Sequence, residues 1–580
     1  MPDSSRPSNK TAITHKPATL IYGVNDPVPP SSLLPLVVQQ VIMLSVDLIF
    51  PVLVVAAIGG PIELARNVVS LMMIAMGIGT ILQALGKGPV GSGYFCAQET
   101  GSAYFPISIM AVQTGGFPLL CGMTVIMGLF QVGVSRIIRR IRILFPVEIT
   151  GLIVTLLIFT IINYAIPNFI GLDSSGQSRP IIFLVSVLTL AVIIVMHVWG
   201  SQRMREYSII AGILFGYAAS YVLDLIPADQ IAKFIQTPWI ALPNLDHVGF
   251  AVDLTLLPPF LIAAFCASIK TVGNLTTCQK VNDEGWKRLD VGSVGSGLLA
   301  EGIGTMISGV MGTMGQTTSS GSVGLSVATG STSRKIAFGV GVSFILLAFF
   351  PKIAALFAIM PQPVIGVILL VQIAFVMPTA MQICSSRMLD ARRMFVLGLS
   401  MTFGFGVAVV PAFGAAFPLW LQPLTRNALA VGTLLAISLH LLFRIGIASH
   451  QTIILSPSPD LSDKIDLFLK RCGGAWGARP EVVSRATSAV LEFMESLTTL
   501  ELSRESVTLD ASFEEFNLNI DMYYDGDLME FPQIRPTEEE LLMDDRAFIR
   551  LSGYLLTRYA DRISSGRKDG RCHVRFNFEH

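Results

Sequence analysis

Residues 316–334 read Gln-Thr-Thr-Ser-Ser-Gly-Ser-Val-Gly-Leu-Ser-Val-Ala-Thr-Gly-Ser-Thr-Ser-Arg, a polar, glycine-rich stretch set between two long apolar runs. In lipid every unpaired peptide group costs several kcal/mol, so irregular backbone at membrane depth survives only where protein surrounds it or a cavity adjoins it. The stretch therefore marks a candidate substrate site. A second such stretch, Gly86 to Gly93 and on through Ser102-Ala103-Tyr104-Phe105-Pro106, lies in the first half of the chain. Paired broken segments in two halves point to a secondary transporter built from inverted repeats.

Composition agrees with a membrane location. Of 580 residues 52% are hydrophobic and 14% charged, where a soluble domain carries about a quarter charged. Apolar stretches of spanning length fall at 35–54, 66–84, 116–135, 147–166, 181–199, 208–226, 256–277, 292–311, 336–358, 363–384, 393–412 and 427–446. With broken segments at 94–112 and 318–335 the expected fold is an α-helical polytopic membrane protein of 14 segments. Phe145 to Gly151 and Met360 to Gly366 open segments five and twelve with similar Pro-Val and glycine spacing, which suggests a 7+7 inverted repeat.

Basic residues set the orientation. Arg136, Arg139, Arg140 and Arg142, then Arg203 and Arg205, then Lys280, Lys287 and Arg288, then Arg334 and Lys335, then Arg387, Arg392 and Arg393 fall in alternate loops. Arg179 and Lys233 are the main exceptions. Both termini are expected in the cytoplasm of a multi-pass plasma (inner) membrane protein. No cleavable signal is apparent in the polar, proline-rich start. Expected domains are a cytoplasmic tail at 1–34, a transporter domain at 35–450 and a cytoplasmic α/β domain at 455–580. From His450 onward 23 acidic residues face 15 basic ones, so the tail is acidic. The seven cysteines have neither metal spacing nor a disulfide pattern, and no catalytic constellation or nucleic-acid signature appears.

Gly324, Thr329, Ser333 and Arg334, with the Val272-Gly273-Asn274 and Ala300-Glu301-Gly302 runs, make residues 35–444 resemble the nucleobase-cation symporter 2 (nucleobase-ascorbate transporter) family. The resemblance implies ion-coupled uptake of a heterocycle such as xanthine, urate or uracil, by movement of a core domain against a gate domain. It also implies proton or sodium coupling, a homodimer, and short strands in segments three and ten. The ligand would lie among Gln40, Ala103, Tyr104, Phe105, Lys270, Asn274, Gly321, Ser322 and Gly324. Glu301, Glu99 and Glu148 are the ion-coupling candidates, with Asp47 a further acid near a span.

Three places depart from that family's pattern, the first being Ala300-Glu301-Gly302, which stands for its Ala-Asp/Asn-Gly. Lys270 stands where the family has a carboxylate, and Gly321-Ser322 stand for its Gln/Glu-Asn pair. Lysine offers donors only, so Lys270 calls for an internal acid, Glu99 or Glu301, or for an anionic ligand. This leaves two alternatives, an anion carrier of sulfate-permease type and a transporter-like sensor signalling through its tail.

The tail reads as a helix over 481–500, a strand over 513–524, a helix over 544–562 and a strand over 573–578. Arg485-Ala486-x-x-Ala489-Val490-x-Glu492, Tyr524-Asp525-Gly526 and Gly553-Tyr554-Leu555-Leu556-x-Arg558-Tyr559-Ala560-Asp561 resemble a histidine-kinase-like ATPase of anti-sigma-factor type. Its glycine-rich lid is reduced to Gly553, and Ser496 stands at the magnesium-binding asparagine. The expectation is a degenerate regulatory module that binds a cytoplasmic protein, without nucleotide hydrolysis.

Overall fold

The structure, a computed structural model, describes residues 16–579 except 142–146, 173–175, 202–203, 206, 285, 287–288, 419–420, 445–449, 457, 459, 501, 503–505, 515–516, 533, 537–546 and 569. Arg142, Phe145, Pro146, Arg203, Lys287 and Arg288, and the start of the 544–562 helix, lie outside the described residues. The chain divides into two compact units, residues 1–381 with 399–435, and residues 382–398 with 436–580.

The larger unit is helical. Its elements are α1 (Pro30–Ser45), a 3-10 turn Val46–Leu48, α2 (Ile49–Ala56), α3 (Ile62–Ala84), β1 (Gln98–Thr100), a 3-10 turn Ser102–Tyr104, α4 (Phe105–Ile141), α5 (Val147–Ile170), α6 (Pro180–Val198), α7 (Ser208–Val222) and α8 (Ala228–Gln236). There follow α9 (Leu257–Asn282), α10 (Val291–Val310), β2 (Gln316–Thr318), α11 (Ser320–Ala328), α12 (Arg334–Ala348), α13 (Pro351–Ala358), α14 (Gln362–Cys384), α15 (Ala391–Val409) and, after two short turns of helix, α16 (Ala428–Arg444). The last part of α14 and the first part of α15 lie in the smaller unit, as does most of α16. Among the described residues eight helices are long and apolar enough to cross a membrane, or nine if α12 and α13 count as one bent span.

Two sequence expectations are corrected and one division between segments is located. The span expected at 336–358 breaks into α12 and α13 with an 85° bend, because Pro351 disfavours helical backbone at Phe350, which sits at φ −106° and ψ 83°. The division expected between segment 94–112 and span 116–135 is present inside α4, where the backbone leaves the helix at Gly115 and at Gly116, whose φ is 69°. Most of 318–335 is regular rather than irregular: Ser319 caps α11 by accepting from Ser322 N, and Ser333 caps α12 by accepting from Lys335 N.

Small residues bring the helices of this unit together. A Cβ on Gly128 of α4 would lie 2.6 Å from Gly302 O of α10, and one on Gly77 of α3 would lie 2.6 Å from Gly341 O of α12. Only glycine permits these approaches, the usual way apolar helices gain contact without a hydrophobic driving force. The two short strands are thereby held inside the bundle. β1 and β2 pair antiparallel with Gln98 opposite Thr318, Glu99 opposite Thr317 and Thr100 opposite Gln316, all six buried. Gly101 N donates to Gly315 O at 3.0 Å and Ser319 N to Ala97 O at 2.8 Å, which extends the ladder at both ends and satisfies backbone that no helix serves.

The smaller unit is a five-stranded antiparallel sheet in the order β3-β4-β5-β7-β6, formed by β3 (His450–Leu455), β4 (Val507–Glu514), β5 (Asn517–Tyr524), β6 (Arg562–Lys568) and β7 (Arg571–Glu579), with helices α17 (Leu461–Trp476), α18 (Pro480–Thr499) and α19 (Ala547–Leu556). Alternation explains the sheet. Ile520, Met522, Val574, Phe576 and Phe578 turn into one core with Ala486, Val490 and Phe493 of α18. Gly477, at φ 67°, ends α17 in the left-handed conformation. The expected strand 513–524 is instead two strands, and the expected helix 544–562 is described only at Ala547–Leu556, since the alternating run from Arg562 pairs with β7.

Candidate functional site

The strand pair is the floor of the candidate site, and α9 supplies its principal side chains. Lys270 Nζ donates to Glu99 Oε1 at 2.6 Å, and the two side chains are 14% and 9% exposed. Asn274, one turn on, donates from Nδ2 to Thr318 O and Thr318 Oγ1 at 3.1 and 2.9 Å, and its Oδ1 accepts from Ser320 Oγ at 2.9 Å. Thr271 Oγ1 lies 2.7 Å from Thr318 Oγ1. One face of α9 thus holds both strands, and Asn274 is committed to β2 and the start of α11.

Two more acids face the ion pair. Glu301 of α10 is fully buried and accepts from Gln131 Nε2 at 2.8 Å, with the hydroxyls of Thr271 and Thr317 beside it. Asp47, in the 3-10 turn after α1, accepts from Gln372 Nε2 of α14 at 2.5 Å and comes within hydrogen-bonding reach of Glu99. Three carboxyl groups therefore gather about one ammonium.

The remaining candidates divide by direction. Tyr104 and Phe105 are buried, with Tyr104 near Thr305 and Gln131 and Phe105 packed between Phe50 and Tyr164 at ring separations of 5.0 and 4.7 Å. Ala103 is buried beside them. Gly321 and Ser322 turn toward α1: a Cβ on Gly321 would lie 2.5 Å from Met43 Cε, and Gln40 Nε2 donates to Ser322 O and Ser326 Oγ at 3.3 and 3.1 Å. Gly324 is exposed, and a Cβ there would meet nothing within 4 Å; the same holds for Gly273. Both are a residue or a turn away from the Asn274–Ser320 bond, so open space adjoins α9 and α11. Glu148 is buried in the first turn of α5 and enters none of the hydrogen bonds of the Lys270 cluster described here.

The Thr329, Ser333 and Arg334 motif holds the N-terminal segment. Ile21 N and Tyr22 N donate to Gly330 O, Thr332 N to Tyr22 O, and Arg334 N to Val24 O. Ser333 Oγ donates to Asp26 O at 2.9 Å, Arg334 bonds Asn25, and Thr329 Oγ1 donates to Leu325 O at 2.9 Å. Val24 is buried among Leu275, Leu298 and Val323. A separate cavity of about 150 Å³ is lined by Glu63, Arg66, Lys233 and Thr237, where Lys233 pairs with Glu63 at 3.3 Å and Arg66 donates to Thr237 Oγ1 at 3.2 Å.

Gln131, Gln372 and Thr318 escaped the sequence reading. The two glutamines are isolated amides in apolar runs, which is a visible signal, whereas Thr318 is one hydroxyl among many. In the smaller unit the kinase-like residues make internal contacts. Arg485 donates to Tyr559 O and pairs with Asp561 at 3.1 Å, Tyr524 Oη donates to Asp527 O at 3.0 Å, and a Cβ on Gly553 would lie 1.8 Å from Glu530 O.

Residues 32–413 match the profile Xan_ur_permease, described as a permease family. A putative purine permease of Clostridium perfringens is 25% identical over 435 residues, covering 74% of this chain and 94% of the relative. Xanthine permease XanP of Escherichia coli is 26% identical over 444 residues, covering 73% and 94%. The uric acid transporter UacT of Escherichia coli is 24% identical over 452 residues, covering 75% and 91%.

Proposed function

Since the chain belongs to this permease family, it is a membrane transporter and not an enzyme, and we propose that it is an ion-coupled carrier for a nucleobase-like heterocycle such as xanthine, urate or uracil. The observation that carries this reading is the paired strands β1 and β2 inside a helical bundle, with the Lys270–Glu99 ion pair directly over them. Broken segments that meet inside a bundle are how secondary transporters place a ligand between two helix ends. The relatives named for xanthine, purine and uric acid support the substrate class.

In this reading the ligand enters the open space beside Gly273 and Gly324, meets Lys270, and is bounded by Ala103, Tyr104 and Phe105 and by the α11 segment. Fourteen segments in a 7+7 inverted repeat, cytoplasmic termini, a plasma membrane location, a homodimer, and motion of core against gate complete the proposal. Glu99 and Glu301 are the acids placed to couple an ion. The C-terminal unit acts as a regulatory or protein-binding module, because its kinase-like residues are occupied in internal contacts.

Uptake into proteoliposomes of labelled uracil, xanthine and urate, with sulfate as control and with or without an inward proton gradient, tests this. Gradient-stimulated uptake of one heterocycle is the expected result. Uptake of sulfate alone would move the chain to the anion carriers, the reading that Lys270 itself favours, and binding without uptake would make it a sensor.

A further inference from the structure

The cavity at the Glu63 end of α3 shares no residue with the strand pair, and the carrier reading gives it no role. Three elements enclose it: the first turns of α3, the helix α8 with the Thr237-Pro238 turn that follows it, and α13. Because α13 follows α12 at an 85° bend, an α12 upright in a bilayer leaves α13 nearly in the membrane plane, at the level where the chain reaches the lipid–water boundary. Ile235, Trp239, Ile240 and Leu356 are all exposed around it. An exposed tryptophan among aliphatic side chains is the pattern that such a boundary favours.

Cations outnumber acids there. Arg66 and Lys233 line the cavity, and Lys352 of α13 stands beside it, its Nζ 5.8 Å from the ring centre of the lining residue Phe234 and 4.2 Å from that of Trp239. Glu63, the one acid in the lining among the described residues, is taken by Lys233 at 3.3 Å. The bond from Arg66 to Thr237 Oγ1 uses one of the five N–H donors of a guanidinium. Lys352 has aromatic neighbours and, among the described residues, no ion pair. The other wall is apolar, formed by Ile62, Phe234, Pro238, Ala355 and Ile359. Water would satisfy the polar side of this space and wet the apolar side at a cost. A molecule carrying both an anion and hydrocarbon serves both sides, and a phosphate matches the planar fork of Arg66.

We propose that this cavity binds the anionic phosphodiester headgroup of a membrane phospholipid. The phosphate takes donors from Arg66 of α3 and Lys352 of α13, and so joins two helices that no ion pair joins among the described residues. A space of about 150 Å³ admits the headgroup alone, so the acyl chains remain outside, over the exposed Leu356. The site goes beyond the carrier reading and does not depend on which ligand is carried.

The test uses the full chain, purified in mild detergent and stripped of lipid. Phosphatidylglycerol, phosphatidylcholine and inorganic phosphate are added in turn, bound molecules are counted by native mass spectrometry, and melting temperature is followed in parallel. Wild-type protein is expected to retain phosphatidylglycerol in preference to phosphatidylcholine, to melt higher with it, and to ignore inorganic phosphate at the same concentration. Arg66→Gln and Lys352→Gln each weaken that binding about tenfold, the effect of losing one hydrogen bond to a charged group. Glu63→Gln frees Lys233 and removes the competing carboxylate, so it tightens binding, a gain that a misfolded variant cannot give.

Equal retention of the two lipids overturns the inference. So does unchanged phosphatidylglycerol binding in Arg66→Gln and Lys352→Gln variants that melt like wild type, or weaker binding in Glu63→Gln. Inorganic phosphate binding as tightly as phosphatidylglycerol would make the cavity a site for a free anion and overturn the lipid assignment. None of these measurements reads transport, so the carrier reading stands or falls separately, by uptake.

Discussion

Two carboxylates, one in each unit, are held by cations in opposite circumstances. Asp521 of β5 accepts from Arg575 Nε and Nη2 at 2.7 and 3.0 Å and lies 2.6 Å from His573 Nε2, all from the neighbouring strand β7. One acid there has two basic partners, on the sheet face away from the core. Glu99 has the reverse surroundings, one of three acids around a single lysine deep within the helical unit. An acid with a surplus of donors is fixed in one state and is structure. An acid in a surplus of acids has competitors for its cation and for any proton, which is the condition a coupling site needs.

The largest effect should come from removing the cation on which the second arrangement depends. Lys270→Met leaves three buried acids with no cation in the cluster, and breaking a buried pair from one side costs about 3–5 kcal/mol. The double variant Lys270→Met/Glu99→Leu should recover most of that stability, because a buried pair is replaced by apolar groups at nearly no net cost. Uptake should be lost in both. Thermal melts of the detergent-solubilised variants check the stability order, and an unchanged melt for Lys270→Met would mean the acids do not need the lysine.

Much of this contrast can be read from the chain, and the remainder has identifiable causes. The polar stretches at 86–106 and 316–334 are conspicuous because glycine and hydroxyl residues interrupt apolar runs, and the structure places β1 and β2 within them. Lys270 is conspicuous because it is a charge in an apolar helix. The partnership of Asp47 with Glu99 and Gln372 is invisible, since it joins positions 47, 99 and 372 through packing that no local periodicity encodes. The Thr329 to Arg334 stretch is legible as a family motif, whereas the hydrogen bonds by which it holds residues 21–26 join positions some 300 apart that no local pattern connects. In the smaller unit, alternation finds β7 but not the reversal between β4 and β5, because apolar residues alternate on both sides of the turn.

Two intermediate variants sharpen the same contrast by removing neutral contacts while leaving every charge in place. Asn274→Ala strips the bonds to Thr318 and Ser320 and should lower stability by about 1–2 kcal/mol, less than their number suggests because neighbouring groups inside a membrane bundle find other partners. Uptake should fall with unchanged dependence on the proton gradient, and a changed dependence would place Asn274 in the coupling step. Ser333→Ala removes a helix cap and the bond to Asp26 O, for about 1 kcal/mol. Faster hydrogen exchange at the Tyr22 and Arg334 amides, with uptake retained, is the expected signature, and unchanged exchange would mean that the backbone bonds alone hold the segment.

The smallest effect should be at Asp521, where the surplus of donors and the nearby solvent both cushion the loss. Burial pushes this carboxyl up, but the hydrogen bonds from Arg575 and His573, with their charges, outweigh it and hold it below the ordinary carboxylate range. A carboxyl held low in the folded state contributes stability that is fully present above its unfolded value of about 3.9 and lost as the pH falls through its lower folded value. Asp521→Asn should therefore destabilise the smaller unit at neutral pH, by about 0.5 kcal/mol once solvent screening of the half-exposed Arg575 is allowed for. The difference from wild type should shrink to nothing in acid below the folded value. Hydrogen exchange of the β5 and β7 amides across that range measures it, and a difference that persisted in strong acid would show that packing around Asp521, rather than its charge, holds the two strands together.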